Sequence, residues 1–221
     1  MRRPKGGNQM ELLSIPVGRL EENVYFLIDE NKETVIFDPG AQAEDIKQLI
    51  KEEGLKPVAI VLTHAHGDHI GAVDALREEY NIPMYMNELE KVFLHDPELN
   101  RSYYSGENIT TKPADGYFPK EMGKWKVGSF EPELAHIPGH SPGGTIFIFR
   151  ENGFVIGGDV MFKGSVGRSD FPYGSHKELM EGIHKYLLPL PAETVIFPGH
   201  GEPTTLKDEI ATNPFLNGAT R

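Results

Sequence analysis

The stretch Thr63-His64-Ala65-His66-Gly67-Asp68-His69 directly follows the apolar run 58–62, Val-Ala-Ile-Val-Leu. That run has the length and β-branched composition of a buried strand. The stretch after it places three imidazoles and one carboxylate in six consecutive positions. Polar groups at the end of a buried strand need a partner that offsets their desolvation, and a metal cation is such a partner. Imidazole and carboxylate suit zinc, iron or manganese better than magnesium or calcium.

The spacing within this stretch predicts how its side chains are presented. In an extended chain, alternation puts His64, His66 and Asp68 on one side, and a turn at Gly67 can bring His69 beside Asp68. The alternative is a polar loop in which each histidine makes an ordinary hydrogen bond. The density of ligand-type residues after an apolar strand favours the metal site.

Three later segments repeat one pattern, in which an apolar strand is followed by glycine or proline and then by one metal-type ligand. They are 134–140, ending at His140, 154–159, ending at Asp159, and 195–201, containing His200. Sites in open α/β sheets gather outside the carboxyl ends of the strands, so these side chains are expected to converge. Taken alone, each is an ordinary turn or surface residue. Together with the first stretch they supply seven candidate ligands, which favours two ions over one.

The rest of the chain predicts an α/β fold in one domain over residues 10–221, with residues 1–9 as a flexible tail. The predicted strands are 12–17, 24–28, 34–37, 58–62, 82–86, 124–127, 133–137, 145–149, 154–156 and 194–197. The predicted helices are 43–53, 71–80, 177–188 and 206–211, with a further helical stretch at 88–95. Residues 87–122 are otherwise predicted to be irregular. Tyr103 and Tyr104 there are candidates to line a pocket, with packing beneath the loop as the alternative.

Composition limits the function. The 221-residue chain has a formal net charge of −11 and no cysteine. This excludes a disulfide framework and a thiolate metal site, and it disfavours partners such as nucleic acid or anionic membranes. With no apolar run of transmembrane length and no signal-peptide pattern, we expect a cytoplasmic protein acting on a small molecule. The oligomeric state is open.

The motifs THAHGDH, PGHSPGG, GGD and PGHG, in this order, resemble the metallo-β-lactamase-fold hydrolases, and within them the glyoxalase II group, which hydrolyses acylglutathione thioesters. The resemblance implies an αβ/βα sandwich of two mixed sheets flanked by helices. It implies two divalent ions, zinc first and iron or manganese as alternatives. It also implies that the first ion is held by His64, His66 and His140, the second by Asp68, His69 and His200, and that Asp159 bridges them.

The chain departs from full glyoxalase II enzymes in one respect and matches them in another. Those enzymes carry a C-terminal helical domain that helps to bind glutathione, and this chain ends at Arg221, so it resembles the compact members of the group. The loop 164–171 resembles the one that presents a basic residue to the substrate carboxylate. Arg168 matches that residue and is, with Tyr104, a predicted substrate-binding residue. A surface ion pair with Asp170 is the alternative for Arg168.

The predicted reaction is hydrolysis of S-D-lactoylglutathione or a related acyl thioester. Two divalent ions ~3.5–4 Å apart can share a water and lower its pKa towards ~7. The metal-bridging hydroxide then attacks the carbonyl, with Asp68 and Asp159 orienting it, and a thiolate leaves readily because a thiol pKa is ~8.5. Three alternatives stay open: a persulfide dioxygenase with one Fe(II), a hydrolase of another ester or amide, and a metal-binding scaffold without activity.

Overall fold

The computed structural model describes residues 10–218, which divide into two compact units. Within this range the first unit consists of residues 10–119 and 126–131, and the second of residues 120–125 and 132–218. The prediction of a single domain over 10–221 stays a prediction. The predicted tail, residues 1–9, lies outside the described residues.

The first unit contains a mixed sheet of six strands in sequential order. The strands are β1 (Glu11–Val17), β2 (Glu22–Ile28), β3 (Glu33–Phe37), β4 (Lys56–Val61), β5 (Met84–Met86) and β6 (Gly116–Tyr117). The first three pair antiparallel, and the pairs from β3 to β6 are parallel. The near-continuous burial of β2 and β3 fits strands that are covered on both faces.

The helices of the first unit follow its parallel strands. They are α1 (Ala43–Glu53), α2 (Gly67–Ile70) and α3 (Val73–Tyr80), with 3₁₀ turns at Glu88–His95 and Ser102–Ser105. Helix α1 has the predicted bounds, buries Ile46 and Ile50, and ends at Gly54 in the left-handed conformation. The predicted helix 71–80 starts only at Val73, because Ala72, its N-cap, has a non-helical backbone with φ −102° and ψ 0°. The amides of residues 71 and 72 donate to the carbonyls of residues 40 and 39.

The second unit contains a five-stranded mixed sheet and a short hairpin. Its strands are β7 (Glu133–His136), β8 (Thr145–Phe149), β9 (Phe154–Gly158), β10 (Met161–Phe162), β11 (Ser165–Val166), β12 (Val195–Pro198) and β13 (Thr204–Thr205). The sheet order is β13-β12-β9-β8-β7, with β10 and β11 forming the hairpin. Strands β7, β9 and β12 run in one direction, so their carboxyl ends, which precede His140, Asp159 and His200, lie at one edge of this sheet.

Two helices pack on the second sheet. They are α4 (His176–Gly182), which continues as a π-helical segment at Ile183–Leu187, and α5 (Leu206–Thr212). Leu179, Ile183, Leu187 and Leu206 are fully buried and join the apolar cluster of this unit. The predicted helix 177–188 is therefore confirmed in extent, with a wider turn in its second half.

One predicted strand is wrong. Residues 124–127 make only isolated bridges, from Lys124 to Glu133 and from Val127 to Phe130. The amides of Val127 and Phe130 donate to each other's carbonyls, so the chain reverses before a ladder can form. Strands β6, β10, β11 and β13 were not predicted, because two residues are too few to show alternation.

The α/β class with two mixed sheets and helices is confirmed. Among residues 10–218, no helix is both long enough and apolar enough to span a membrane.

Candidate metal centre

The stretch 63–69 leaves β4 as an extended segment and then turns into α2. His66 has an extended backbone, and Gly67 is the first residue of the helix. The expectation that Asp68 lies on an extended chain with His64 and His66 is therefore wrong. The helical turn instead carries Asp68 and His69 together, and His69 Nε2 lies 3.5 Å from Asp68 Oδ2, as a turn at Gly67 predicted.

Asp38, at the end of β3, is the buried anchor of this stretch. Its carboxylate accepts hydrogen bonds from the amide of Thr63 (2.7 Å) and from the Thr63 hydroxyl (2.5 Å). The second of these oxygens also lies 2.8 Å from Nδ1 of His69. Asp38 has a positive φ of 50°, a conformation that Asp adopts more readily than most residues. Asp38 therefore has a structural role, because it holds the loop by hydrogen bonds.

These contacts assign the protons on two of the candidate ligands. The Thr63 hydroxyl donates its only hydrogen to Asp38, so in its 3.0 Å contact with Nδ1 of His64 the ring must be the donor. His69 Nδ1 likewise faces a carboxylate oxygen, which only accepts. With the proton on Nδ1, each neutral ring presents the lone pair of Nε2 to a cation.

The segment after β5 supports the same stretch from another side. The Ala65 amide donates to Oε2 of the fully buried Glu90 (3.2 Å), and the Gly67 amide donates to the Asn100 carbonyl (2.6 Å). A Cβ at Gly67 would lie 2.7 Å from Cβ of Ser102, so this position requires glycine. Part of the predicted irregular region is therefore the support of the ligand loop.

In the second unit, His140 follows β7 and is held by a backbone carbonyl. Its Nδ1 lies 2.8 Å from the Arg168 carbonyl oxygen, so this ring also carries its proton on Nδ1 and presents Nε2. Gly139 before it has a φ of +130°, and a Cβ there would lie 2.6 Å from atoms of Leu179. A Cβ at Gly167 would collide with the Asp159 carbonyl oxygen. Close backbone packing therefore fixes both ligand loops.

Three nitrogen–oxygen distances among the candidate ligands are too long for hydrogen bonds and are nearly equal. They are 3.5 Å from His69 Nε2 to Asp68 Oδ2, 3.4 Å from His140 Nε2 to Asp159 Oδ2, and 3.5 Å from His200 Nε2 to the same Asp159 oxygen. Hydrogen bonds of this kind span ~2.7–3.2 Å. Ligand atoms at ~2.0–2.2 Å from a tetrahedral zinc ion lie roughly 3.3–3.6 Å apart. The spacing and the donor types therefore fit a divalent metal.

The seven predicted ligands fall into two groups whose ligand atoms lie within 4.8 Å of one another: His64, His66 and His140, and Asp68, His69, Asp159 and His200. A third group, Asp38, His64 and His69, meets the same criterion. Asp38 is the less suitable ligand because its oxygens already accept three hydrogen bonds. Five of the seven are buried, while Asp68 and His200 are partly exposed.

The other histidines make ordinary contacts. Within residues 10–218, none of His95, His136, His176 and His184 belongs to a candidate metal group. His136 Nε2 lies 2.8 Å from the Pro142 carbonyl oxygen, and His184 Nδ1 lies 2.8 Å from that of Met180.

The two predicted substrate-binding residues differ in their surroundings. Tyr104 is 63% exposed and lines a cavity of the first unit, so it is not packed beneath the loop. The Arg168 guanidinium makes two hydrogen bonds to Asp170 (3.0 and 2.8 Å) and stacks on the Phe171 ring. The hydrogen bonds raise the pKa of Arg168 above its usual value. This ion pair is the alternative foreseen for Arg168, whose role in substrate binding stays a prediction.

Three supporting residues were not predicted from the sequence. They are Glu90 and Asn100, which support the ligand loop, and Glu22, whose buried Oε1 lies 3.5 Å from His69 Nδ1. A glutamate inside a strand or a short 3₁₀ turn carries no local signal of burial. Only the tertiary contacts reveal it.

Comparison with known families and proteins agrees with this geometry. Residues 17–200 match the family described as the metallo-beta-lactamase superfamily. The chain is 44% identical to the probable metallo-hydrolase YqgX of Bacillus subtilis, over 95% of this chain and 99% of that protein. It is 36% identical to hydroxyacylglutathione hydrolase GloC of Haemophilus influenzae, over 94% of this chain and 99% of that protein.

Two solved structures are also similar. One, described as the BLEG-1 B3 metallo-beta-lactamase, has a TM-score of 0.90 at 44% identity and is matched over 94% of this chain and 100% of its own. The other, TTHA1623 in a di-iron-bound form, has a TM-score of 0.82 at 39% identity, over 92% of this chain and 100% of its own.

Proposed function

The chain belongs to the metallo-beta-lactamase superfamily, and from this premise we propose that it is a dinuclear metal-dependent hydrolase of acyl thioesters, with S-D-lactoylglutathione as the first substrate to test. The observation that carries the proposal is the position of Asp159. One of its oxygens lies at 3.4 Å from His140 and 3.5 Å from His200, and these histidines belong to different candidate groups. A carboxylate in this position suits a bridge between two ions.

The proposed ligand assignment follows the two groups. His64, His66 and His140 hold one ion, Asp68, His69 and His200 hold the other, and Asp159 contacts both. Nitrogen and carboxylate ligands accept zinc, iron or manganese. Zinc is our first choice, and the di-iron form of the similar TTHA1623 structure makes iron the first alternative.

When bound, two divalent ions polarise a carbonyl oxygen and lower the pKa of a water to ~7. The residues of the chain supply the positioning. Asp38 and the Thr63 hydroxyl keep the protons of His69 and His64 on Nδ1. Asp68, partly exposed at 23%, can accept a hydrogen bond from the attacking water and orient it. Asp159, which is only 7% exposed, would balance part of the charge of the two cations.

The leaving group favours a thioester. A thiol has a pKa of ~8.5, so a thiolate departs without first receiving a proton. An amide nitrogen must be protonated to leave, which requires a positioned acid. A cyclic amide is nevertheless the second candidate substrate, because the BLEG-1 protein is described as a B3 metallo-beta-lactamase.

The test is metal analysis followed by turnover measurements on one preparation. We expect two ions per chain and a kcat/KM for S-D-lactoylglutathione or another acyl thioester that exceeds the value for a β-lactam. Chelation should abolish turnover and added metal should restore it. Failure to hydrolyse any thioester with both ions bound would refute the proposal. One iron per chain with oxygen consumption would favour a dioxygenase instead.

A further inference from the structure

A cavity of about 280 Å³ in the first unit lies beside the ligand loop. Asp68 forms part of its lining, together with Arg19, Leu20, Tyr104, Glu107 and Ile109. The volume is just below the ~300–1,000 Å³ typical of small-molecule sites. It therefore suits one part of a substrate whose reacting bond lies at Asp68.

The β1–β2 turn that carries Arg19 is anchored at its base. The Gly18 amide donates to Oε1 of Gln42 (2.6 Å), and the Glu21 amide donates to the Gly18 carbonyl (3.2 Å). Gly18 has a φ of +70°, and a Cβ there would lie 3.2 Å from Cβ of Ala41. Arg19 and Leu20 therefore extend from a fixed turn, and the backbone that carries them needs little ordering when a ligand binds.

The charged side chains that line the cavity are one cation, Arg19, and two carboxylates, Asp68 and Glu107. The Arg19 guanidinium is the cation, and it donates one long hydrogen bond of 3.4 Å to the Ser105 carbonyl. Glu107 accepts a hydrogen bond from the Ser105 hydroxyl (2.7 Å). The charge of Asp68 is more than offset once it binds a dication. Because the chain as a whole carries −11, an anionic substrate needs a local cation to overcome the general repulsion.

Large apolar side chains line the same cavity as Arg19. Leu20 and Tyr104 both line the cavity and are 64% and 63% exposed, so both offer apolar surface to a ligand. The Tyr104 ring is covered on one side by the Arg101 guanidinium at 4.0 Å. A ligand with a short carbon chain can therefore contact Leu20 and Tyr104 while its charged end reaches Arg19.

We propose that this cavity binds the part of the substrate that carries a carboxylate, and that Arg19 recognises that carboxylate through its guanidinium fork. The ligand class is an acyl thioester with a carboxylate a few bonds from the sulfur. The choice of a thioester as substrate rests on the proposed function. The binding measurement does not, because its probe cannot be hydrolysed. Arg–carboxylate pairs are bidentate and charge-assisted, so we expect them to decide between an anionic and a neutral substrate of the same shape.

The binding test uses a thioether that cannot be hydrolysed, S-acetonyl-3-mercaptopropionate, and its neutral carboxamide, titrated by calorimetry into zinc-loaded and metal-stripped protein. We expect the carboxylate probe to bind the zinc-loaded protein about tenfold more tightly than the carboxamide. Arg19→Gln should remove this preference. The control is Lys51→Gln, which removes the same charge as Arg19→Gln. Lys51 is exposed on α1 and does not line the cavity, so this variant should have no effect.

The kinetic test uses the acetyl thioesters of 3-mercaptopropionate and 3-mercaptopropionamide. Arg19→Gln should raise KM about tenfold for the first, leave KM for the second unchanged, and leave both kcat values near those of the parent. Equal affinity of the two probes for the parent protein, or an unchanged preference in Arg19→Gln, would overturn the inference even if thioesters are hydrolysed. A clear preference without hydrolysis of any thioester would support the carboxylate site and refute the proposed reaction.

Discussion

The buried ligand set and the cavity rim are held in opposite ways. The buried ligand set is His64, His66, His69, His140 and Asp159, all at most 7% exposed. The cavity rim is Arg19, Leu20, Tyr104 and Glu107, all exposed. In the first set, hydroxyl, carboxylate and carbonyl acceptors fix the rings of His64, His69 and His140. In the second set, the β1–β2 turn is anchored at Gly18, and the side chains of Arg19 and Leu20 extend from it. We therefore expect metal binding to depend on the buried framework, and the choice of substrate to depend on exposed side chains that can change without disturbing it.

The largest expected effect comes from Asp159→Ala in the buried ligand set. The variant removes the carboxylate that we assign to both ions, so it should lose bound metal. The loss in kcat/KM should exceed the ~10–100-fold that changes to residues supporting a ligand cost. Metal analysis after gel filtration and a thioester assay measure both. Far-UV circular dichroism should match that of metal-stripped parent protein, and full activity in the variant would exclude the bridging role.

The next largest effect tests whether metal affinity depends on the residues that hold the ligands in place. Asp38→Asn keeps the shape and tolerates the positive φ of this position, but places an amide where a carboxylate accepts from His69. We expect a loss of ~10–100-fold in metal affinity, measured by competition with a chelator, and a change in the ring proton seen by ¹⁵N NMR. Asp45→Asn, exposed on α1, is the matched control. Unchanged affinity in Asp38→Asn would show that the ligands do not depend on this anchor.

A third effect concerns the segment that supports the ligand loop. The fully buried Asn100 side chain donates to the carbonyls of Phe93 and Ile109 and accepts from Ser102. Asn100→Ala leaves these groups without their partners and should destabilise the protein by about 3 kcal/mol, lowering Tm by roughly 6–12 °C in a chain of this size. Thermal melts of metal-stripped protein measure this effect. Asn31→Ala, exposed in the β2–β3 turn, should shift Tm much less, and equal shifts would contradict a special role for Asn100.

The same contrast explains what the sequence could predict. The ligands at the strand ends are marked by residue type, by neighbouring glycines and by the apolar strands before them, so His64, His140, Asp159 and His200 could be identified as a set. The anchors Asp38, Glu90 and Asn100 gain their roles only from residues distant along the chain. The helical turn at Gly67 could not be read from alternation, because the packing of Ser102 and Asn100 on Gly67 selects it. The cavity rim carries no local pattern, since an exposed arginine in a turn is common.

The smallest expected effect separates two exposed arginines. The Arg168 guanidinium already donates twice to Asp170 and stacks on Phe171, so a substrate carboxylate would have to replace an existing partner. Exposed pairs contribute at most ~1 kcal/mol. We therefore expect Arg168→Gln to change the free energy of unfolding by less than ~0.5 kcal/mol and KM for a carboxylate-bearing thioester by less than threefold. Denaturant melts and steady-state kinetics beside Arg19→Gln give the comparison. A tenfold rise in KM for Arg168→Gln with none for Arg19→Gln would reverse the assignment and place substrate recognition on the loop after Asp159, as the sequence motif predicts.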